Sequence, residues 1–129
     1  MLSYMAMKPR FAASEFRSRF KLTAAERAYV AEKGFNILRA QAERIVRERL
    51  APAHPANDGR QTPMRNHAVF KAQHGCALCC RGCLEKWHGI PRGRELTDAE
   101  VGEIADMIVD WLRDRAGDLE KIPHTPELF

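Results

Sequence analysis

The stretch HAVFKAQHGCALCCRGCLEKWHGIPRG, residues 67–93, holds all four cysteines and three of the five histidines, and these seven side chains fall between His67 and His88. This cluster constrains the fold more than any other feature of the chain. Thiols and imidazoles packed this densely must be gathered at one site or buried apart, and the surrounding elements have to allow one or the other. The chain has 129 residues and no apolar run near the ~20 residues of a membrane span, so we expect one domain, residues 1–129, with a core of its own and no membrane association. Its start, MLSYMAMKPRF, lacks the 7–15-residue apolar core of a secretory signal. These features point to the cytoplasm, where clustered cysteines are more often ligands or redox groups than structural disulfides.

Two C-x2-C pairs stand back to back here, Cys76/Cys79 and Cys80/Cys83. That spacing lets a tight turn or helix start aim two thiolates at one ion, and zinc favours four N or S donors in a tetrahedron. A helix beginning near Cys83 would bring positive dipole to the thiolates. Arg81 and Lys86 would add charge of the same sign, and His88 could supply a nitrogen. If residues 67–74 are helical, His67 and His74 share a face but stand about 10.5 Å apart along the axis, too far to share an ion easily. His74, nearer the cysteines, is therefore the better ligand. Cys79 and Cys80 are adjacent and would diverge on a regular helix, so one of them is expected to bind and the other to pack nearby. The candidate metal ligands are His74, Cys79, Cys80, Cys83 and His88, and the expected cofactor is zinc. Buried free thiols, a disulfide or redox switch, and an iron–sulfur cluster are the competing readings. A c-type haem site needs C-x-x-C-H, but Leu84 follows Cys83. The zinc-deaminase signature is also absent, since Pro55 and Ala56 follow His54 and Leu78 precedes the vicinal pair.

The rest of the chain reads as helical. Thr23/Glu26 and Thr97/Glu100 match the capping-box pattern. Gly34, Gly89 and Gly117 stand where helices should stop. Leu38, Ala42, Ile45 and Val46 draw one apolar face, and Val101, Ile104, Ala105, Ile108 and Leu112 draw another. Phe11, Phe16 and Phe20 suggest a short helix over residues 11–22 with its aromatics turned inward. Residues 51–66, rich in proline and carrying NDG, read as a long loop. No strand pattern or repeat appears. The expected fold is all-α: a small single domain of about four to six helices around a Cys/His metal site, with irregular termini at 1–10 and 118–129.

Charge is unevenly spread. Residues 1–50 carry eleven basic and five acidic side chains, 51–94 carry seven and two, and 95–129 carry three and ten. A basic body could bind nucleic acid through Arg17, Arg19, Lys21, Arg60, Arg65, Arg92 and Arg94, with Trp87 as a base-stacking group. The plainer reading is that the acidic last helix neutralises the basic ones. Two other functions fit the pattern. One is a hydrolase-like metalloenzyme, with His74, one vicinal cysteine and Cys83 on zinc, His67 or His88 as acid/base, and the long loop lining the pocket. The other is thiol redox chemistry at Cys79 and Cys80.

DGRQTPMRNHAVFKAQH followed by CCRGCLEKWHGIPRGRELT resembles the signature of a small bacterial family of uncharacterised proteins, known as a domain of unknown function. The likeness runs from about Phe16 to Leu112, and the matching positions are His67, Gln73, His74, Cys79, Cys80, Cys83, Lys86, Trp87 and His88. It implies a shared site and brings no activity with it. The family pattern has a threonine-rich stretch before the vicinal cysteines. This chain departs there with Gly75, Cys76 and Leu78, which sets Cys76 apart from the implied ligands.

Overall fold

The computed structural model describes residues 2–64 and 67–117. Seven helices and no strand occur among the described residues: α1 (Tyr4–Ala13), α2 (Glu15–Ser18), α3 (Ala24–Lys33), α4 (Phe35–Arg49), α5 (Ala68–Gly75), α6 (Arg81–His88) and α7 (Asp98–Ala116). The all-α expectation holds, with one helix beyond the expected range because α2 is a separate single turn. None of the helices is long and apolar enough to cross a membrane.

Both capping boxes form. Thr23 and Thr97 accept from the backbone N–H of Glu26 and Glu100, and those glutamates accept from the threonine N–H groups in return. Gly34, at φ +79°, ends α3 and starts α4 in one residue, which fixes the sharp turn between them.

α7 is the spine of the core. It packs along α4 and also touches α1, α3 and α5. Its predicted stripe is buried throughout, joined by Met107 and Trp111. Leu38, Ala42 and Val46 of α4 face it, while Ile45 is only half-buried. Each fully buried aliphatic side chain contributes roughly 1.5–3 kcal/mol, so this seam outweighs any single polar contact in the molecule.

Part of the charge is matched within the molecule. α7 pairs Asp98 with Arg47, Glu100 with Arg94, Asp106 with Arg39 and Asp114 with Lys8. Four basic side chains from the first 94 residues are thus neutralised within the molecule.

Two expectations at the N-terminus are corrected. Residues 4–10 are not irregular but belong to α1, which Ser3 caps and which docks on α7 through Tyr4 Oη donating to Asp114 at 2.6 Å. The single helix expected over 11–22 breaks at Ser14. That residue is extended (φ −84°, ψ 122°), and its hydroxyl caps α2 by accepting from Arg17 N–H. The break rotates α2 relative to α1, so Phe11 and Phe20 are buried, Phe16 stays 38% exposed, and Arg17 turns inward. The expected irregular C-terminus, 118–129, lies outside the described residues.

The 51–66 segment has no helix or strand among its described residues, yet it is bolted down. Asp58 accepts from the backbone N–H of Arg81 at the start of α6. Gln61 ties Gly59 to Asp58, and Thr62 Oγ1 donates to the Cys79 carbonyl at 2.7 Å. The Arg81 guanidinium, 1% exposed, donates to the carbonyls of Leu50, Pro52 and Pro91.

Gly75 sits under Trp111. A Cβ there would lie 2.5 Å from Trp111 Nε1. Gly75→Ala should therefore destabilise the fold by ~1–3 kcal/mol, read from urea unfolding. A second expected outcome concerns acid. Arg94, burial notwithstanding, holds the Glu100 carboxyl down to about 2, helped by the Thr97 cap. A carboxyl depressed on folding stabilises above its unfolded pKa of 4.5 and loses that contribution as pH falls toward about 2. Glu100→Gln should lower stability at neutral pH and flatten its decline between those limits, measured by denaturant midpoints across pH.

Candidate metal centre

The site is built by a chain reversal after α5. Ala77 takes a left-handed conformation (φ +56°). Its N–H donates to His74 O, and Leu78 N–H donates to Gln73 O at 2.7 Å. This pairing is the Schellman closure, here with alanine where glycine is usual. Gln73 doubles the clasp, its side-chain amide donating to Leu78 O. The reversal throws Leu78, Cys79 and Cys80 back across the end of α5. Cys80 is extended (φ −157°, ψ 166°) and serves as the N-cap of α6, its sulfur accepting from Cys83 N–H at 3.4 Å. The helix starts at Arg81, so Cys79 and Cys80 never share a helix. The divergence expected of them does not arise, because an extended pair at a helix entrance can swing both sulfurs toward the first turn.

The outcome is that Cys79, Cys80 and Cys83 place their sulfurs within 4.8 Å of one another. Cys79 Sγ and Cys83 Sγ are 3.5 Å apart. All four cysteines are free thiols. Cys76 is fully buried away from this group, and burial pushes its thiol well up, as suits a small core side chain. Of the two C-x2-C pairs, Cys80/Cys83 therefore converges whole and Cys76/Cys79 contributes only Cys79.

The cation at the sulfurs is neither Arg81 nor Lys86. Arg81 spends its donors on carbonyls, and Lys86 is exposed. Arg17 of α2 fills the role. It is 7% exposed, with its guanidinium 3.1 Å from Cys83 Sγ, 3.6 Å from Cys79 Sγ and 2.8 Å from His74 O. The rings of Phe16 and Trp87 lie 4.9 and 5.5 Å from its central carbon. Sequence reasoning places Arg17 among phosphate contacts. Nothing local marks it for the site, since it lies 62 and 66 residues from the sulfurs it meets. Trp87, the candidate stacking group, packs on Phe11 and carries Arg10 on its ring.

Electrostatics follow from this arrangement. The hydrogen bond shared with Cys83 holds the Cys79 thiol down to about 7, against burial and with Arg17 assisting. The same shared proton, with burial, pushes Cys83 up. Burial also raises Cys80. The α6 N-terminus adds its partial positive charge to the anionic form.

The two candidate imidazoles stand outside the three-sulfur group. His74, buried, stacks on Phe20, and its Nε2 is 3.1 Å from both Thr62 O and Pro63 O. Two carbonyls can only accept, so Nε2 carries the proton and Nδ1 the lone pair. That Nδ1 is buried and has no partner. His88 Nε2 donates to Cys76 O at 2.8 Å, and its Nδ1 is likewise buried without a partner. Burial lowers the pKa of both, which favours neutral rings at pH 7. His67 caps α5 by accepting from Val69 N–H, with its other nitrogen 3.5 Å from Tyr29 Oη. It takes no part in the cluster. Arg65, a candidate phosphate contact, lies outside the described residues.

No solved structure matches the chain. A family match covers residues 6–113, beginning within α1 and so including Arg17, the reversal at Ala77 and all three converging cysteines. The chain belongs to the family described as Domain of unknown function (DUF4186).

Proposed function

We propose that this chain is a zinc-binding protein whose ion is held by Cys79, Cys80 and Cys83, with His74 Nδ1 as the fourth donor. The observation that carries the reading is the convergence of three sulfurs within 4.8 Å at a helix entrance. Three thiolates suit a borderline-soft divalent ion, and zinc takes four N or S donors. His74 is favoured over His88 for two reasons. Two carbonyls, against one for His88, fix it in the tautomer that leaves Nδ1 to a metal, an arrangement typical of ligating histidines. One Arg17 nitrogen also bridges the His74 carbonyl and Cys79 Sγ, which puts residue 74 beside the sulfurs, whereas His88 is tied to the carbonyl of the excluded Cys76. A site closed in this way is structural: it clamps α5 to α6, and the metal's binding energy becomes folding energy.

Elemental analysis of the purified chain should find one zinc per molecule. Cys83→Ala should lose the metal and the stability that goes with it, and His74→Ala should weaken binding. Cys76→Ala and His88→Ala should keep the metal. Full metal content in Cys83→Ala overturns the assignment.

Thiol redox chemistry is the second reading, expected at Cys79 and Cys80 and favoured instead at Cys79 and Cys83 by the 3.5 Å approach of their sulfurs. Alkylation separates the two. In the metal-free chain, iodoacetamide should attack Cys79 first. The rate should rise as pH increases through about 7, where Cys79 deprotonates, and Cys76 should be spared. Zinc should suppress that reaction under the binding reading. A pair that cycles between dithiol and disulfide and takes up no metal would establish the redox reading instead.

A further inference from the structure

Arg17 poses a problem of charge. A guanidinium cannot lose its proton in a protein, and burying it requires an anion or a full set of hydrogen-bond acceptors. Among the described residues no carboxylate pairs with Arg17; its partners are one carbonyl and two sulfurs. Thiols are weak acceptors, and of the two sulfurs only Cys79 is held toward its anionic form, so without a metal the cation is only partly compensated. A divalent ion on three thiolates carries a net charge of −1, which one guanidinium cancels.

Resting on the metal reading above, we propose that Arg17 is the internal counter-cation of the site, a positioning residue that matches it to a divalent ion held by three thiolates and one neutral donor. It acts through the sulfurs and does not touch the ion. The geometry suits this role. One terminal nitrogen reaches Cys83, while the other is shared between Cys79 and the His74 carbonyl, so the planar fork spans both α5 and α6. The rings of Phe16 and Trp87, 4.9 and 5.5 Å from its central carbon, steady the fork by cation–π attraction. A fourth thiolate would leave one negative charge unbalanced in this setting. Cys76, the remaining cysteine, is indeed held apart, and His74 offers a neutral nitrogen.

The test compares the full-length parent with Arg17→Met and Arg17→Lys, using zinc competition against a chelator and thermal unfolding with and without zinc. Arg17→Met should bind zinc roughly 10–100-fold more weakly, the usual loss when a residue supporting the ligands is removed. Arg17→Lys keeps the charge without the fork and should recover part of that loss. The metal-free chain separates this role from simple packing. Removing a buried cation that the metal-free sulfurs only partly compensate should leave the metal-free melting temperature unchanged or higher, while the rise produced by zinc shrinks. Cobalt(II) gives a further signature: without the cation the thiolates are better donors, and the sulfur-to-cobalt absorption should move to longer wavelength. Equal zinc affinity and an equal zinc-induced rise in Arg17→Met would overturn the proposal while leaving the metal site intact. So would Arg17→Lys binding no better than Arg17→Met. If Arg17→Met does not fold without metal, the lysine variant decides by the same two measurements. A parent chain that binds neither zinc nor cobalt overturns both the site and this role for Arg17.

Discussion

A guanidinium in the interior has to be met from several directions, and Arg17 is where this molecule meets that demand. It draws α2 onto the end of α5 through the His74 carbonyl and onto α6 through Cys83. The break at Ser14 matters because on one continuous helix Phe11 and Phe20, nine residues apart, would point to opposite sides, whereas here both are buried and Arg17 turns inward with them. α1 is held separately, by Tyr4 and Lys8 on Asp114 and by Phe11 against Trp87. The N-terminal helices thus close over the cysteine cluster from one side.

The long loop closes it from the other. A segment without regular structure has to satisfy its backbone polar groups elsewhere. Here Arg81 serves the carbonyls of Leu50 and Pro52, and Thr62 serves Cys79. The carbonyls of Thr62 and Pro63 in turn hold His74. The loop is therefore part of the site's frame. Its QTP stretch sets the tautomer of a buried imidazole and steadies the chain at a cysteine. The left-handed Ala77, costing roughly 1–2 kcal/mol, is tolerated because Gln73 secures Leu78 by both backbone and side chain.

Local features are readable in the chain because they depend on near neighbours. The capping boxes at Thr23 and Thr97, the glycine stops and the apolar stripes of α4 and α7 all act within one or two turns, and all appear where spacing places them. The cysteine cluster is readable as a candidate site for the same reason. The roles of its members are not. Helix geometry is the wrong guide to Cys79 and Cys80, which lie just before the helix, where an extended backbone obeys other rules. Cys76 shares the spacing of a ligand and becomes core, because the reversal at Ala77 leaves it behind on α5's end.

The amino-acid sequence alone determined that the chain is helical, where α3 and α7 begin and end, and that four thiols crowd one short segment. It could not determine which thiols converge, which cation attends them, or which basic partners the acidic side chains of α7 take up. Those depend on contacts between residues tens of positions apart, such as Arg17 with Cys83 and Asp106 with Arg39. A 3.6-residue period or a cap carries no information about such pairs. Only the packing of α2, α5 and α6 around one buried charge brings the site into being.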